Sequence, residues 1–385
     1  MKHSPSIGES IRTVAVAQRQ IPHYRIPFFR ALRTRLEQEN VKLRLISGTA
    51  YEGHIIRTTM EEVEILPTTE IGPFLWNRFS SLTHDVDLLI IPQQIKQLDL
   101  YHLLCKRLFS KGPKIAFWGH GKDFQSAAPN GLTERLKRYL SRRVDWWFAY
   151  NDLSARVVRE LGFTPARITS VVNAIDTIGL ETRKESLTES EIAAAREELG
   201  ISTSNVAIFT GGLYSVKRLP FLFSAAELIR LQIPDFELIV IGDGPEKEWV
   251  TKTVAPHPWI HFLGAKNDHD KVPYWALAKL LLMPGGVGLI VLDSFALGVP
   301  MVTTDTRLHG PEIQYLQSGD NGFLVECGES TNTYADAVVG LLRDPARLHR
   351  LQAGAKASTA QYTMQQMVEN FAGGVMAALE TRKEC

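Results

Sequence analysis

The chain has 385 residues and a formal net charge of +1 at pH 7. This length indicates two or three domains, and a hydrophobic content of 44% is ample for packed cores. The near-neutral charge gives no indication of a nucleic-acid partner. The polar stretch 1–12 lacks the apolar core of a signal peptide, and no apolar run approaches the ~20 residues of a membrane span. We therefore expect a soluble cytoplasmic protein.

The sequence offers no recognisable metal-binding pattern. Cys105, Cys327 and Cys385 are scattered without metal-ligand spacing, which fits a reducing compartment. The acid pair Asp85 and Asp87 leads into an apolar strand rather than forming a metal-binding loop. We expect neither a metal ion nor a bound cofactor.

The first half of the chain alternates short apolar runs with helical patterns. Continuously apolar strands separated by amphipathic segments predict a parallel sheet covered on both faces. Residues 1–175 are therefore predicted to form a doubly wound α/β domain, in which ligands bind beyond the carboxyl ends of the strands. The predicted strands are 13–18, 41–47, 86–92, 114–119, 145–150 and 168–172.

Two of these strand ends are followed by residues suited to binding. The loop Gln18–Arg25 combines polar, cationic and aromatic groups, including His23 and Arg25. After strand 114–119, His120 lies between two glycines and so has little side-chain cover. His120 is a candidate ligand contact, and a solvated loop histidine is the alternative.

The stretch Asn130–Phe148 predicts a basic amphipathic helix. Such a helix can lie on an anionic membrane surface. It can equally cover a sheet while its long cationic side chains stay in water. Both interpretations remain open, and they are compatible with each other. The basic residues are Arg135, Lys137, Arg138, Arg142 and Arg143, interspersed with Leu132, Leu136, Tyr139 and Leu140.

A charged stretch without strand signal, 176–204, is predicted to be a linker with one helix at 189–199. A second alternating series follows and predicts a second doubly wound domain over 205–360, with a helical tail at 361–385. Its predicted strands are 205–210, 236–242, 259–264, 279–285 and 300–305.

Glycine-rich turns in this second half are typical of phosphate binding. The strand ending at Met283 runs into Gly285, Gly286 and Gly288, and a helix follows from Leu289 with Asp293 one turn in. Glycines allow close approach to a ligand, and a carboxylate can accept hydrogen bonds from a ribose diol. This pattern predicts half of a nucleotide diphosphate site, and a purely structural βα corner is the alternative.

The other half of the predicted site follows the strand 205–210. Gly211 and Gly212 give a close turn, and Lys217 or Arg218 can supply the positive charge that a diphosphate leaving group needs. Gly242 and Gly244 form a generic glycine turn after the strand 236–242.

The stretch 285–305 resembles the donor-site signature of the retaining glycosyltransferases of family 4, which have the GT-B fold. It matches that pattern through Gly286, Gly288, Leu289, Gly298 and Pro300. It departs from the pattern at both acids, because Gly285 replaces the first glutamate and Asp293 the second. A family arginine in the first glycine loop is likewise replaced by Gly212.

This resemblance implies two Rossmann-like doubly wound domains facing across a cleft, with the last helix crossing back to the first domain. It implies a retaining, metal-independent transfer of a sugar from a nucleoside diphosphate sugar to a hydroxyl acceptor. The acceptor class would be a glycan or a lipid-linked glycan of cell-surface polysaccharide, such as lipopolysaccharide, met at the inner face of the membrane. The missing acid at Gly285 leads to two hypotheses: the donor is a deoxy or amino sugar, or other groups bind the sugar in place of that acid.

The same resemblance assigns roles to individual residues. His120 would contact the transferred sugar, Lys217 would hold the diphosphate, and His23 or Arg25 would lie on the acceptor side. The donor diphosphate and nucleotide set comprises Gly211, Gly212, Lys217, Arg218, Gly242, Gly244, Gly288, Leu289, Asp293 and Glu312. Two alternatives stay open: a nucleotide-sugar epimerase or hydrolase of the same fold, and a catalytically silent nucleotide-sugar-binding subunit.

Overall fold

The computed structural model describes residues 11–49, 63–82, 84–94, 96–109, 112–121 and 132–381. The chain divides into two compact units, one formed by residues 1–173 with 364–385 and the other by 174–363. Most of the polar amino-terminal stretch, the start of the predicted basic helix at Asn130, and Cys385 lie outside the described residues.

The first unit is built on a parallel sheet with the strand order β3-β2-β1-β6-β7-β8-β9, and β4 and β5 form a separate antiparallel pair. Its central strands are buried along nearly their whole length, which explains their continuously apolar sequences. The strands are β1 (Arg12–Gln18), β2 (Val41–Gly48), β3 (Val63–Leu66), β4 (Thr69–Ile71), β5 (Phe74–Trp76), β6 (Leu88–Pro92), β7 (Lys114–Gly119), β8 (Trp146–Ala149) and β9 (Ile168–Ser170).

Helices of the first unit begin with ordinary capping devices. Pro27 occupies the first turn of α1, where its missing N–H costs nothing. Asn151 caps α4 by accepting a hydrogen bond from the Ser154 backbone N–H at 3.0 Å. These helices are α1 (Ile26–Glu37), α2 (Leu98–Phe109), α3 (Leu132–Ser141) and α4 (Asp152–Glu160).

The second unit has its own parallel sheet, with the strand order β12-β11-β10-β13-β14-β15. Strands β10 and β13 are fully buried. The strands are β10 (Val206–Thr210), β11 (Glu237–Ile241), β12 (Ile260–Phe262), β13 (Leu280–Leu282), β14 (Met301–Thr304) and β15 (Gly322–Val325). The helices are α5 (Thr177–Glu185), α6 (Glu189–Glu198), α7 (Leu219–Gln232), α8 (Lys247–Val254), α9 (Val272–Leu277), α10 (Ile290–Ala296), α11 (Thr331–Leu342) and α12 (Pro345–Ser358).

The stretch 176–204 contains two helices, whereas one was expected. Helix α5 is capped by Asp176, which accepts from the Gly179 N–H at 2.9 Å, and α6 begins with a capping box of Thr188 and Glu191. Lys184 near the end of α5 donates to the carbonyl of Leu297, which is the C-cap residue of α10. The charged composition of α5 hid it, because only Thr177 and Leu180 of the helix are buried.

The last helix, α13 (Met364–Glu380), belongs to the first unit, where it packs on α1 and β9. Phe371 stacks on Phe148 with ring centroids 4.4 Å apart, and its ring also meets Trp118 edge-on at 5.0 Å. The Lys114 ammonium donates to the carbonyls of Ala378 and Leu379 at 2.8 and 2.7 Å. Aromatic packing and this lysine cap therefore fix the helix to the first sheet.

The strand order of the second sheet marks where a ligand would bind. Strand β10 lies between β11 and β13, so the chain leaves it on one side first and returns on the other. The loops after β10 and β13 therefore diverge, and open α/β sheets bind ligands at such a topological switch point.

Candidate functional site

Two loops meet at this switch point, the loop 211–218 after β10 and the turn 284–288 after β13. The Gly286 backbone N–H donates to the Val216 carbonyl at 2.7 Å. In return, the Lys217 ammonium donates to the Gly286 carbonyl. The two loops are thus joined through main-chain groups, and a cation is held at their junction.

Lys217 is the central charge of this site. Its side chain is half-buried, and burial lowers the pKa of the Lys217 ammonium to about 8, an effect that nearby Glu312 partly opposes. At neutral pH the side chain is therefore mostly protonated but poorly solvated. A cation in this state is well placed to bind a phosphate group.

Glu312 lies on a short 3-10 turn, Pro311–Tyr315, and is buried. Its carboxylate is close enough to Lys217 to influence that ammonium electrostatically. It also lies beside Gly310, where an added Cβ would come within 2.9 Å of Glu312 Oε2. Glu312 is therefore part of the same local cluster as Lys217, and its role in a donor pocket stays a prediction.

The glycines of the β10 and β11 loops bring two main chains together. A Cβ on Gly242 would lie 2.0 Å from the Gly211 carbonyl oxygen, and one on Gly244 would lie 2.7 Å from that of Leu213. Hydrogen bonds of 2.9–3.0 Å, one of them from Leu213 N to Asp243 O, join the same loops. Gly242 and Gly244 thus permit this close approach.

Gly212 lies under an aromatic ring. A Cβ on this residue would be 2.3 Å from the ring of Tyr214, which is itself 40% exposed. An arginine at position 212, as in the family pattern, would require Tyr214 to move aside.

Arg218 has a different role from the one predicted. Its backbone is left-handed, with φ of 56°, and its guanidinium donates to Thr304 Oγ1 at 3.0 Å and to Glu329 at 2.5 Å. The side chain is only 9% exposed and lies over the Phe221 ring. Arg218 therefore joins the end of β14 to a neighbouring loop, and we leave it out of the proposed diphosphate contacts.

Asp293 is paired inside the protein. Both Asp293 and Lys271 are only 5% exposed, and their charged groups are 2.7 Å apart. Lys271 also meets Asp268 at 2.9 Å. Burial lowers the pKa of Lys271, but the two carboxylates more than offset this and raise it above its ordinary value. The predicted ribose contact of Asp293 would have to share this carboxylate with Lys271.

The helix that carries Asp293 is short. Leu289 is its N-cap residue, and α10 itself has seven residues. A Cβ on Gly288 would meet no atom within 4 Å, so this glycine is not required for packing. A helix of seven residues offers only a short dipole, so Lys217 is the stronger positive charge at this turn.

His309 organises the site and was missed from the sequence. Its Nδ1 accepts a hydrogen bond from the Val287 N–H at 3.1 Å, and its Nε2 donates to the Thr304 carbonyl at 2.8 Å. The Gly310 N–H donates to the Val287 carbonyl at 2.7 Å. The buried imidazole thus fastens the turn after β13 to the end of β14. The only sequence signal was its place beside Glu312 in the run 309–312.

Replacing His309 with alanine is expected to cost ~1–3 kcal/mol of unfolding free energy at pH 7.5, because two buried main-chain groups lose their partner. Burial lowers the pKa of His309, so below its unfolded value of about 6.5 the unfolded chain binds more protons and wild-type stability falls. The difference in free energy of unfolding between wild type and His309→Ala should therefore be smaller at pH 5.0 than at pH 7.5. Denaturant unfolding at both pH values measures this difference. The exposed His349→Ala serves as control, and a gap that stays constant contradicts the assignment.

His120 follows β7 in the first unit, at the carboxyl edge of that sheet. Its imidazole packs edge-on against Tyr150, with ring centroids 4.3 Å apart, and is partly exposed. Gly121 has φ of 81°, and a Cβ there would lie 2.9 Å from Val158. The glycine after His120 is therefore required by the backbone conformation and by the packing of Val158.

Arg25 and His23 differ in exposure. Arg25 is buried and donates to Asn173 Oδ1 and to Met367 Sδ, the latter at 3.5 Å. Its guanidinium also lies 5.2 Å from the centroid of the Trp118 ring. This geometry is typical of a packing residue, so we withdraw Arg25 as an acceptor contact. His23 is exposed beside Tyr24 and stays a candidate.

Helix α3 carries both features predicted for the basic amphipathic segment. Arg135 and Arg138 are exposed, and so are the apolar side chains of Leu136 and Tyr139, at 40% and 56%. Leu140 is buried against the sheet. The side chains of Leu132 and Lys137 lie outside the described residues. This helix therefore covers the sheet and also presents a mixed apolar and cationic surface.

Within the described ranges, no group of three or more histidine, cysteine or acidic side chains is placed to share a metal ion. In the same part of the chain, no helix combines the length and apolarity needed to cross a membrane.

Residues 204–344 match the family model described as glycosyl transferases group 1. The N-acetyl-alpha-D-glucosaminyl L-malate synthase of Bacillus anthracis is 27% identical over 276 residues, covering 67% of this chain and 68% of the relative. The chain is a glycosyltransferase, and it is similar to group 1 of these enzymes over residues 204–344. The matched region contains the whole loop pair around Lys217.

Solved structures place this glycosyltransferase in the GT-B fold, as predicted. HepE from Anabaena, solved in complex with UDP, aligns with a TM-score of 0.70 at 17% identity, covering 95% of this chain and 99% of HepE. WaaG, described as a glycosyltransferase involved in lipopolysaccharide biosynthesis, aligns with a TM-score of 0.64 at 13% identity, covering 93% of this chain and 98% of WaaG.

The protein is a glycosyltransferase that uses a nucleotide sugar donor. In the second unit, the structure brings Lys217, Glu312 and the glycine loops to one edge of the sheet. Arg218 and Asp293 have protein partners instead. His120 and His23 lie in the first unit.

Proposed function

We propose that this glycosyltransferase binds the diphosphate of its donor at the junction of loops 211–218 and 284–288. The observation that carries this proposal is the half-buried Lys217 ammonium, held on the Gly286 carbonyl at the switch point of the second sheet. Glu312 and the close-packed glycine loops line the same edge. His120 is proposed to contact the transferred sugar, and His23 the acceptor.

The proposed reaction keeps the anomeric configuration. The bond between the sugar C1 and the β-phosphate oxygen breaks, and the acceptor oxygen bonds to C1 on the same face. The acceptor proton passes to the departing diphosphate, so no enzyme nucleophile is required. Negative charge grows on the leaving phosphate during this step, and a cation already in place stabilises it without reorganisation. Lys217 is proposed to supply that charge in place of a metal ion.

Substrate classes follow from the relatives. HepE has been solved in complex with UDP and with UDP-glucose, which supports a uridine diphosphate sugar as the first donor to test. The name of the N-acetyl-alpha-D-glucosaminyl L-malate synthase and the lipopolysaccharide pathway of WaaG support a hydroxyl acceptor. We propose a glycan or lipid-linked glycan acceptor, with a deoxy or amino sugar among the donors, because Gly285 lacks the family carboxylate.

Turnover with UDP-, GDP- and dTDP-sugars tests the proposal. We expect release of the nucleoside diphosphate that depends on an added glycan acceptor, a product with the donor's anomeric configuration by NMR, and no loss of rate in EDTA. Release without an acceptor would instead indicate a hydrolase, and conversion of the donor sugar an epimerase. Donor binding without any turnover would support a silent binding subunit. A strong preference for UDP-glucose would contradict the deoxy-sugar version.

We also propose that α3 contacts an anionic membrane surface at the inner face of the membrane, where a lipid-linked acceptor would be met. Exposed Leu136 and Tyr139 can enter the lipid interface, while Arg135, Arg138 and Arg143 meet anionic headgroups. Arg143 already lies over the Tyr139 ring at 4.7 Å, so the cationic and apolar groups form one patch.

The double variant Leu136→Ser, Tyr139→Ser is expected to bind anionic phosphatidylglycerol vesicles roughly tenfold more weakly than wild type, because less apolar surface enters the lipid. Vesicle co-sedimentation measures this, with Leu231→Ser, which alters an exposed leucine of the second unit, as the matched control. Equal vesicle binding by the α3 variant and the control would contradict the proposal that α3 contacts the membrane.

A further inference from the structure

Gly285 has no room for any side chain. A Cβ built at this position would lie 2.3 Å from the Val216 carbonyl oxygen, 2.4 Å from the Lys217 carbonyl carbon and 2.6 Å from the Lys217 oxygen. All three atoms belong to the main chain, so a flexible side chain cannot simply turn away. Any larger residue at 285 must therefore push the loop 211–218 away from the turn 284–288.

The contacts that hold Lys217 depend on this close approach. The Gly286 N–H donates to the Val216 carbonyl at 2.7 Å, and the Lys217 ammonium donates to the Gly286 carbonyl. The Lys217 N–H in turn donates to the Tyr214 carbonyl at 2.8 Å and keeps the loop compact. These two interloop hydrogen bonds, to the Val216 and from the Lys217 groups, involve the residue directly after Gly285, so they would lengthen together if the loops separated.

We propose that Gly285 is a positioning residue: its missing side chain lets the two loops close, and this closure sets the Lys217 ammonium where it grips the donor diphosphate. The inference rests on the proposed function, because it takes Lys217 to be the diphosphate contact. It also gives a second explanation for the glycine that replaces the family glutamate at position 285. The space of a side chain at 285 is occupied by the Val216–Lys217 main chain, so restoring a glutamate there would displace the lysine instead of adding a sugar contact.

Gly285→Ala tests this with Gly340→Ala as a matched control, since a Cβ on the helical Gly340 meets no atom within 4 Å. Calorimetry with UDP and UMP is applied to wild type, both variants, Lys217→Met and the double variant Gly285→Ala, Lys217→Met. We expect Gly285→Ala and Lys217→Met each to weaken UDP binding at least tenfold and UMP binding less. The UDP affinity of the double variant should be no more than threefold below that of whichever single variant binds UDP less tightly, because both substitutions act through the same ammonium.

A second measurement follows the lysine itself. Carbon-13 NMR of lysine side chains, assigned with Lys217→Arg, gives the pKa of Lys217 without any ligand. We expect about 8 in the wild type and a rise toward the ordinary value of about 10.4 in Gly285→Ala, since the opened loop solvates the ammonium.

These readouts separate the two ideas. An unchanged Lys217 pKa in folded Gly285→Ala, fully additive losses, or equal losses for UDP and UMP would overturn the positioning role. A raised pKa with unaltered UDP binding would uphold the positioning role and defeat Lys217 as the diphosphate contact. If Gly285→Ala does not fold, an ordinary pKa for Lys217 in the wild type still overturns the inference.

Discussion

Replacing Lys217 with methionine is expected to lower kcat/KM for the nucleotide sugar by about 10²–10³, the usual loss when one preplaced charge-stabilising group is removed. Methionine keeps most of the side-chain volume, so the fold should persist. Stability should not fall, because burial of the Lys217 charge opposes folding at neutral pH. Initial rates of nucleoside diphosphate release measure the loss. Lys252→Met, which alters an exposed lysine on α8, serves as control.

The same residue predicts a pH dependence. With a pKa of about 8, Lys217 loses its charge as pH rises through that value, so wild-type kcat/KM should decline on the alkaline side. Lys217→Arg should keep its charge and move this decline to higher pH, even if its overall rate is lower. A methionine variant within threefold of wild type, or an alkaline decline unaltered by arginine, would refute the assignment of Lys217.

The second large effect concerns the buried pair of Lys271 and Asp293. Asp293→Ala is expected to destabilise the second unit by ~3–5 kcal/mol, because it leaves the Lys271 ammonium buried with only the more exposed Asp268 beside it. Differential scanning calorimetry measures the shift of the corresponding transition. The exposed pair Lys252 and Glu248 provides the comparison, and Glu248→Ala should change stability by less than about 1 kcal/mol.

A double variant, Lys271→Met with Asp293→Leu, distinguishes an unpaired charge from lost packing. If the unpaired ammonium causes the damage, the apolar pair should recover most of the lost stability. A double variant as unstable as Asp293→Ala, or an Asp293→Ala protein within 1 kcal/mol of wild type, would show that the pair is not what stabilises this region.

The sequence predicted all the strands that are buried along most of their length, and the strands that it missed are short and at most partly buried. Strand β7 was predicted with its observed ends, since its apolar run is continuous and bounded by polar or glycine residues. Strand β15 is a run of four residues that begins at Gly322 and is half-buried at Phe323 and Leu324, and β4 is exposed throughout, so neither gives a long apolar run. Such strands form because a neighbouring strand offers hydrogen bonds, which local sequence does not reveal.

The part of the candidate site that could be predicted from the sequence is the part that lies within a single loop. Lys217 lies on the loop that its glycines indicated. Partners distant in sequence could not be predicted, and Lys271 lies 22 residues before Asp293 on another element. The direction of the Arg218 side chain could not be predicted either. Its partner Thr304 lies 86 residues later in the chain, and the two residues meet only because β13 and β14 follow β10 in the sheet.

Helix α13 belongs to the same unit as the first 173 residues, so that unit is assembled from two segments of the chain that are separated by the whole second unit. During translation, β7 and β8 cannot pack against Phe371 until residues 174–363 have been synthesised. Until then the aromatic face formed by Phe28, Trp118 and Phe148 lacks its cover and is a natural target for chaperones. A variant that lacks α13 should therefore be damaged in the unit whose other residues, 1–173, are synthesised before the second unit.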